Sequence, residues 1–429
     1  MTPRRILLTT LGSLGDLHPY LALARALETR GHRAVLATSE MYRERVEAEG
    51  VHFHAVRPDF RPMLERPGRS MARYMDSARG SERVARELVM PYLAETFEDT
   101  LAAALDAELI VTHPLTLTAR MAAEKLGKPW ISSVLAPFSY LSAIDPPVPP
   151  GMAWMESLRG LGPRFHHVVF GLARRLSAPW FDEVHALRAS LGLPPITHPM
   201  FEGAASPLGT LGLFSPVLAP PQSDWPPRVH ATGFCFLDHP RADALPEGLD
   251  RFLASGDPPL VFTLGSSAVH DAREFYSHAV EHSRALGRRA VLLTGRDTGN
   301  VPGTTGPDVY VADYAPYSRV FPHAAAVVHQ GGAGTTGEGL RAGRPMLVLP
   351  FSHDQFDNAA RVRRIGSGDT MDRHRFGGAA GRARLGRLLD SRGIAASAEA
   401  NGSRVRAEDG PGTAIAMMLA SVEGGDGRC

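Results

Sequence analysis

The chain has 429 residues, a net charge of +1 and 21% charged residues. Because one hydrophobic core rarely serves a chain of this length, we expect two domains. The nearly balanced charge argues against a nucleic-acid-binding protein, and two cysteines are too few for a disulfide framework or a cysteine-rich metal site.

The amino terminus has two arginines before an apolar run, a pattern that superficially resembles a signal peptide. The run is short and leads into a glycine-containing turn and a helical pattern, so we interpret it as a first β-strand. No segment approaches the roughly 18 apolar residues of a membrane span. We therefore expect a cytoplasmic protein without stable membrane insertion, and peripheral contact with a membrane stays open.

The first elements along the chain predict a βαβ unit. They are a strand at 5–10, a turn at 11–18, a helix at 20–27 that starts next to Pro19 and a strand at 33–38. Gly12 and Gly15 in the turn do not complete the GxGxxG pattern, so a dinucleotide site here is poorly supported.

Two polar side chains follow predicted strands of this first sheet. Asp16 lies in the turn after the first strand, and His113 follows a strand at 109–112. Open α/β sheets bind ligands at the carboxyl ends of their strands, so Asp16 can face a cleft and take a proton from an attacking hydroxyl. The alternatives are structural: Asp16 is the N-cap of the following helix, and His113 satisfies a backbone group at the strand end.

The middle of the chain is less informative. Arginines recur against acidic residues between 57 and 86, which indicates a solvated helical face, or alternatively a basic rim for an anionic acceptor or a membrane. A proline-rich loop at 137–150 and an aromatic-rich helical segment at 154–193 follow, and core packing is the default role for each aromatic residue there. Prolines between 216 and 227 interrupt every periodic pattern, as in a linker.

These patterns divide the chain into four parts. They are an N-terminal domain at 1–215, an interdomain linker at 216–236, a C-terminal domain at 237–408 and a C-terminal segment at 409–429. In the last segment we expect a helix at 413–420 that packs back on the first domain, and a disordered tail at 424–429.

The second domain opens with a strand at 259–264 and is organised around the stretch 329–358, HQGGAGTTGEGLRAGRPMLVLPFSHDQFDN. A short apolar strand leads into a turn with three glycines, where the lack of side chains lets backbone N–H groups approach a ligand. A helix predicted at 336–342 begins there. A helix start with bare amides is a ready phosphate site.

The order of residues in this stretch resembles the donor-sugar signature of the family 1 glycosyltransferases, which use nucleotide sugars. The spacing from Glu338 to Asn358 matches that of the plant members, and one extra residue lies between His329 and Glu338. The GGAGTT loop and the GSLGD sequence at 12–16 are similar to bacterial members, including sterol, antibiotic and rhamnolipid glycosyltransferases. The resemblance implies an α/β protein of the GT-B fold, with two Rossmann-like domains whose parallel sheets face each other across a cleft.

The resemblance also implies roles for the matching positions. Asp16 is the expected catalytic base and His113 its candidate partner in a dyad. The expected donor-binding residues are Ser266, Ser267, Tyr314, Ala315, His329, Gly332, Ala333, Gly334, Thr335, Thr336, Glu338, Asp354, Gln355 and Asn358. Among these, Tyr314 stacks on the base, Glu338 binds the ribose hydroxyls, and Asp354 with Gln355 binds the sugar hydroxyls. Candidates to line the acceptor site are His18, Phe138, Tyr140 and Trp154.

The expected chemistry follows from the charge of the leaving diphosphate. No Asp-x-Asp motif or other carboxylate pair lies near the glycine-rich loop, so we expect no metal site and no cofactor beyond the co-substrate, a UDP- or dTDP-linked sugar. His329, the amides at 332–335, the hydroxyls of Thr335 and Thr336 and the helix dipole can take the charge instead. Attack opposite the diphosphate predicts inversion at the anomeric carbon.

The sequence therefore predicts an inverting, metal-independent glycosyltransferase that moves a hexose to a hydroxyl of a small hydrophobic acceptor. A natural product, a flavonoid, a sterol-like alcohol and a hydroxy-lipid all fit as the acceptor. The Asp354–Gln355 pair favours glucose and the GSLGD turn favours rhamnose, so the donor stays open, as does the choice between a monomer and a homodimer.

Two other functions stay as alternatives. A nucleotide-sugar epimerase of the same fold would need acid and base groups around the sugar and no acceptor pocket, and the aromatic insertion argues against it. An oxidoreductase with a dinucleotide on the first βαβ unit is supported only by Glu40, an acidic residue near the end of the second strand.

Overall fold

The computed structural model describes residues 2–61, 71–201, 204–238 and 245–423. Within these residues the strands form two parallel sheets, one of seven strands and one of six. Short apolar runs build both sheets; Ile6, Leu7 and Leu8 of the first strand, for example, are fully buried, as expected where helices cover both faces of a sheet. The predicted α/β fold with two parallel-sheet domains is confirmed.

The strands and their order define the two domains. The first sheet contains β1 (Arg5–Thr9), β2 (Arg33–Thr38), β3 (His52–Ala55), β4 (Leu109–Thr112), β5 (Trp130–Val134), β6 (Thr210–Gly212) and β7 (Val229–Ala231), in the order β3-β2-β1-β4-β5-β6-β7. The second contains β8 (Leu260–Thr263), β9 (Ala290–Leu293), β10 (Val309–Ala312), β11 (Ala326–His329), β12 (Met346–Val348) and β13 (Gly368–Thr370), in the order β10-β9-β8-β11-β12-β13. The strand order reverses between β1 and β4 and between β8 and β11.

Helices connect and cover these strands. The α-helices of the described chain are α1 (Leu14–Thr29), α2 (Arg43–Ala48), α3 (Gly80–Arg83), α4 (Leu93–Ala104), α5 (Leu117–Leu126), α6 (Pro163–Ser177), α7 (Asp182–Ser190), α8 (Leu249–Ala254), α9 (Phe275–Ala285), α10 (Tyr317–Val320), α11 (Ala333–Ala342), α12 (Gln355–Arg364), α13 (Gly378–Asp390), α14 (Arg392–Arg406) and α15 (Gly410–Glu423). None of the helices described is long and apolar enough to cross a membrane.

Helix α1 begins earlier than the sequence predicts. The prediction placed its start next to Pro19, but the helix starts at Leu14 and Pro19 lies inside it. The reason is a capping box: the Ser13 side chain accepts from the first turn, and Asp16 accepts from the Ser13 backbone. That gain outweighs the single backbone hydrogen bond that a proline at position 19 removes.

The segments between and after the domains also differ in detail from the predicted pattern. Strand β7 lies within the stretch 216–236 that the prolines marked as a linker, and it pairs with β6 of the first sheet. Helix α15 is longer than the predicted 413–420, and its apolar side chains pack in the core of the first domain. The expected tail at 424–429 lies outside the described residues, as does part of the arginine-rich stretch, residues 62–70.

A buried ion cluster joins the two domains. Asp145, in the loop after β5, accepts hydrogen bonds from Arg361 and from Arg364, the latter at 2.8 Å. Asp357, one turn before Arg361 on α12, accepts from the Arg361 Nε at 2.7 Å and from the backbone N–H of Val148 at 3.2 Å. Asp145, Asp357 and Arg361 are all buried. Helix α12 of the second domain is therefore fixed against a loop of the first.

Replacing Arg361 with Met should strongly destabilise the protein, because Asp357 would stay buried without the guanidinium that pairs with it at 2.7 Å. Asp145 would keep its pairs with Arg159 and Arg364. Breaking a buried ion pair from one side typically costs about 3–5 kcal/mol. We expect a loss of that order in the free energy of unfolding measured with urea. Arg363→Met, which changes an exposed arginine of the same helix, should change it by less than about 0.5 kcal/mol. Equal losses in the two variants would show that the cluster contributes nothing.

Candidate active site

Both sheets place polar side chains where their strand order reverses. Loops that leave two adjacent strands in opposite directions open a crevice, which is the usual ligand site of such sheets. Asp16 follows β1 and His113 follows β4, on either side of the reversal in the first sheet. In the second sheet, Ser266 and Ser267 follow β8 and His329 ends β11.

A turn almost without side chains follows β11. Gly331 has a φ of 91°, and a Cβ there would lie 2.7 Å from the Val348 side chain and 3.0 Å from the Gln355 carbonyl. Gly332 is the N-cap of α11, which begins at Ala333 rather than at the predicted residue 336. The glycines therefore start the helix early, and the N–H groups of its first turn are left for an anion.

His329 presents one nitrogen as a hydrogen-bond donor. Its side chain is fully buried, and its Nδ1 accepts from the Gly331 N–H at 3.1 Å. Burial lowers the pKa of His329 to about 3, so the ring is neutral and the proton is on Nε2. Nε2 is buried and has no partner among the described residues. It is a fixed N–H group at the edge of the glycine-rich turn.

Other polar atoms around this turn are also buried without a partner in the described chain. They are Gln330 Oε1, Thr336 Oγ1 and Asn358 Oδ1. The Asn358 amide is oriented by its own N–H groups, which donate to the Gly331 carbonyl at 2.9 Å and to Asp354 Oδ2 at 2.8 Å. Buried unpaired polar atoms are rare in proteins, and a cluster of them indicates a ligand site.

The two residues predicted to bind sugar hydroxyls have different environments. Asp354 is the N-cap of α12 and keeps some contact with solvent. Burial raises the pKa of Asp354 to about 7, and the charge of Asp16 adds to the rise, while the hydrogen bond from Asn358 opposes it. The buried Gln355 instead uses its Oε1 within the loop, where it accepts from the N–H groups of Phe351 and Ser352 at 2.9 and 3.2 Å.

Asp16 is held in a fixed position at the edge of the first domain. It is the third residue of α1 and not its N-cap, which is Ser13, and the Ser13 N–H donates to Asp16 Oδ2 at 2.7 Å. A Cβ on Gly12 would overlap with the Asp16 carboxylate, so the turn needs a glycine. Asp16 therefore does not have the suggested N-cap role. It is the third helical residue, and its carboxylate accepts from the N-cap backbone in a capping box.

His113 contacts both the backbone and Asp16. Its Nδ1 accepts from the Leu115 N–H at 3.1 Å, so the proton is on Nε2, which lies 3.4 Å from Asp16 Oδ1. The side chain is buried and packs edge-on against Tyr20. The two roles suggested from sequence are therefore compatible: Nδ1 binds a backbone group at the strand end, and Nε2 faces Asp16 as in a dyad.

Groups from the two domains converge at one cleft. Asp16 of the first domain acts electrostatically on both His353 and Asp354 of the second: it adds to the rise in the pKa of Asp354, and it opposes the lowering of the pKa of His353 that burial causes. The Asp16 side chain is 30% exposed to solvent. A ligand bound between the domains can therefore reach the carboxylates of both.

At the nucleoside end of the predicted donor site, the ring of Tyr314 is exposed. Tyr314 is 55% exposed, whereas Ala315 beside it is buried. Tyr317 is not part of the exposed surface: its ring stacks on Phe321, and its hydroxyl lies 2.9 Å from Thr263 Oγ1. Tyr314 is thus the ring that a base can stack on.

Glu338, the predicted ribose ligand, is held by its neighbour on α11. Its carboxylate accepts from Arg341 at 2.8 Å. Arg341 in turn pairs with Asp238 at 2.7 Å and lies over the Phe236 ring, 4.0 Å from its centroid. The contact with Arg341 orients the carboxylate, and a carboxylate is the acceptor that ribose hydroxyl groups need.

The four candidate acceptor residues lie in different environments. Tyr140 packs against Phe214 and Trp225 in a buried aromatic cluster, and His18 Nε2 lies 2.8 Å from Arg45 on an exposed surface. Trp154 is 59% exposed, and Phe138 is half-buried in the short helix Pro137–Tyr140. The aromatic content predicted an apolar surface but not which rings would form it.

Sequence reasoning missed the residues that join the domains at the cleft. Asp145 and Arg361 are 216 positions apart, and Ser81 and His353 are 272 positions apart. No local spacing marks such pairs. The one available signal was His353 itself, a polar residue directly before the predicted sugar-binding pair. Among the described residues no three His, Cys, Asp or Glu side chains are grouped as metal ligands.

Two family models match the chain, one in each domain. The model described as the glycosyltransferase family 28 N-terminal domain matches residues 6–141. The model described as the C-terminal domain of erythromycin biosynthesis protein CIII-like proteins matches residues 291–417.

Curated relatives match most of the chain. It is 34% identical over 379 residues to O-mycaminosyltylonolide 6-deoxyallosyltransferase of Streptomyces fradiae, a match that covers 85% of this chain and 84% of that protein. It is 29% identical over 380 residues to a sterol 3-beta-glucosyltransferase of Arabidopsis thaliana, covering 85% of this chain and 59% of the plant protein.

Solved structures share the fold at lower identity. The glycotransferase of kitacinnamycin superposes with a TM-score of 0.73 at 22% identity, over 98% of this chain and 99% of that one. The glycosyltransferase VinC, solved in complex with dTDP, superposes with a TM-score of 0.69 at 19% identity, over 98% of this chain and 99% of that one. Because a 34% identical relative is matched over most of both chains, with a glycosyltransferase model matched in the first domain and a macrolide-biosynthesis model in the second, the protein belongs to the family 1-like glycosyltransferases of the GT-B fold.

Proposed function

We propose that the protein is an inverting glycosyltransferase that uses no metal and moves a hexose from a UDP- or dTDP-sugar to a hydroxyl of a small hydrophobic acceptor. The observation that carries the proposal is that Asp16 from one domain acts electrostatically on Asp354 from the other, and that Asn358 connects Asp354 to the turn that follows His329. A base for the attacking hydroxyl and donors for the leaving diphosphate thus lie on opposite sides of one cleft.

The relatives support the choice of substrates. The acceptors in their names are O-mycaminosyltylonolide and sterols, which supports a hydrophobic alcohol as the acceptor of this chain. VinC was solved with dTDP, which supports a dTDP-sugar, and the glucosyl transfer in the name of the sterol enzymes supports a glucosyl donor. Both donor classes carry the diphosphate that the turn after β11 suits.

The proton is taken on the side of the first domain. Asp16 Oδ2 is occupied by the Ser13 N–H at 2.7 Å, and His113 Nε2 lies 3.4 Å from Oδ1. These contacts orient the carboxylate and leave a lone pair for the proton of the acceptor hydroxyl. As the hydroxyl oxygen bonds to the anomeric carbon, its proton passes to Asp16 and the bond to the diphosphate oxygen breaks.

The charge of the diphosphate is taken on the side of the second domain. The neutral ring of His329 offers Nε2–H, and the first turn of α11 adds backbone N–H groups and the positive end of the helix dipole. Because the pKa of His329 is about 3, its proton is donated in a hydrogen bond that strengthens as charge develops. One such donor is typically worth about 3 kcal/mol in the transition state.

Asp16→Asn should abolish transfer while nucleotide binding survives. Asparagine can keep the hydrogen bond from the Ser13 N–H but cannot accept a proton at neutral pH. Wild type and variant would be incubated with UDP- and dTDP-sugars and a phenolic acceptor, with products read by mass spectrometry and nucleotide binding by the rise in melting temperature. Full activity in Asp16→Asn would remove the assigned base. Conversion of the donor to its epimer without acceptor would favour an epimerase instead.

The proposed metal-free stabilisation predicts turnover that survives EDTA but depends on His329. His329→Asn can accept from the Gly331 N–H in place of Nδ1, but it is too short to replace Nε2–H. We expect kcat to fall by about 10²–10³ for the loss of one such donor. Loss of turnover in EDTA, or an unchanged kcat in His329→Asn, would contradict this mechanism.

Asp354→Asn should raise the stability of the protein without ligand, by an amount that depends on pH. Below pH 3.8 the carboxyl is protonated in the folded and the unfolded chain alike. Between there and pH 7 the unfolded chain releases the proton and the folded chain keeps it, so the wild type loses stability as the pH rises. Without ligand, the difference in melting temperature between Asp354→Asn and the wild type should therefore increase from pH 3.8 to pH 7 and stay constant above pH 7.

The control for this prediction is Asp313→Asn, which changes an exposed aspartate of the same domain. Because this side chain is exposed, the substitution should leave the melting temperature close to that of the wild type. A constant difference between Asp354→Asn and wild type from pH 4 to 8 would show that Asp354 does not titrate near 7.

A further inference from the structure

A turn of the first domain holds the loop that carries Asp354. We name residues 74–81 the cross-domain turn and residues 351–354 the sugar loop. Ser352 Oγ donates to the Asp76 carbonyl at 2.9 Å, and His353 Nδ1 lies 3.1 Å from Ser81 Oγ. The sugar loop, which belongs to the second domain, is therefore held by groups of the first.

The backbone of the sugar loop is strained at His353. Its φ is 55°, in the left-handed region of the backbone that residues other than glycine rarely adopt. Such a conformation persists only where the surrounding contacts impose it, and it is concentrated at ligand sites. The contact with Ser81 is one that can impose it here, and the next residue in the chain is Asp354.

The close approach of the two segments needs a residue without a side chain at position 80. A Cβ on Gly80 would lie 2.8 Å from Ser352 Oγ and would also overlap with the Tyr74 carbonyl. Met75 of the cross-domain turn anchors the contact, because it packs in the apolar core of the second domain together with Phe351. Residues of both domains therefore contribute to the contact between the cross-domain turn and the sugar loop.

We propose that the first domain completes the site for the transferred sugar: the cross-domain turn holds His353 in its left-handed conformation and so places Asp354 against the sugar. Gly80, Ser81 and His353 are positioning residues in this scheme. The inference rests on the function proposed above. The glycine-rich turn after β11 is built from residues of the second domain, so the diphosphate can bind without the cross-domain turn while the sugar needs it.

The test compares a nucleoside diphosphate with the intact donor. The probes are UDP or dTDP and the sugar nucleotide that the wild type turns over. For Gly80→Ala, Ser81→Ala and His353→Gly we expect the Kd for the diphosphate to stay within about twofold of wild type. The value of kcat/KM for the donor should fall about 10- to 100-fold, as misplacement by an ångström does elsewhere. His353→Asn should restore it to within a few fold, because Asn tolerates a positive φ and keeps a hydrogen-bonding side chain.

Two controls separate positioning from a general loss of structure. Gly160→Ala, where a Cβ meets nothing within 4 Å, should match the wild type in both measurements. The melting temperature of His353→Gly should fall by no more than a few degrees, because the relieved strain at a positive φ offsets part of the lost contact with Ser81.

An unchanged kcat/KM in His353→Gly and Ser81→Ala would overturn the inference, as would equal losses of diphosphate and donor binding. If the wild type bound neither UDP nor dTDP, the proposed function itself would be wrong, and this inference, which rests on it, would be wrong too.

Discussion

The contact of Asp145 with Arg361 helps to decide how the two sheets face each other. Each sheet has its own ladder of hydrogen bonds, so the distance between Asp16 and Asp354 depends on contacts between the domains. The buried guanidinium and its two carboxylates restrict that distance, because they tolerate little displacement before a charge is left unpaired. We interpret the cluster as fixing an arrangement more than as adding stability, since burying charges costs much of what their attraction returns.

Helix α12 links this cluster to the site through its periodicity. Asp354 and Asn358 are one turn apart at its start, where Asn358 also donates to the Gly331 carbonyl. Asp357 and Arg361 are likewise one turn apart and contact the loop of the first domain. Residues four apart share a helix face, so one helix contacts the glycine-rich turn and the opposite domain at once.

Much of the fold and half of the site follow from local sequence patterns. Apolar runs of four or five residues predict parallel strands, glycines predict the turn after β11, and the positions of Asp16 and His113 after strands predict their meeting, which the structure places at 3.4 Å. The start of α1 was predicted wrongly because Pro19 outweighed the capping box of Ser13.

The rest depends on contacts between positions far apart in the chain. The pairs Asp145–Arg361 and Ser81–His353 form only when both domains are folded and in contact, and neither has a spacing that a sequence could reveal. Composition likewise predicts that rings such as Tyr140 are present but not which way they face. Tyr140 packs inward on Trp225, with ring centroids 4.7 Å apart.

The unpaired atoms of the site have a chemistry of their own. His329 Nε2–H is a donor, whereas Gln330 Oε1 and Asn358 Oδ1 are acceptors, and the Thr336 hydroxyl is both. A bare diphosphate has acceptor oxygens for the imidazole but no protons for the two amide carbonyls. A sugar attached to the diphosphate brings hydroxyl protons as well. Since each buried unpaired group costs about 1–3 kcal/mol, a ligand that carries both acceptor oxygens and hydroxyl protons relieves more of that cost than a diphosphate group alone.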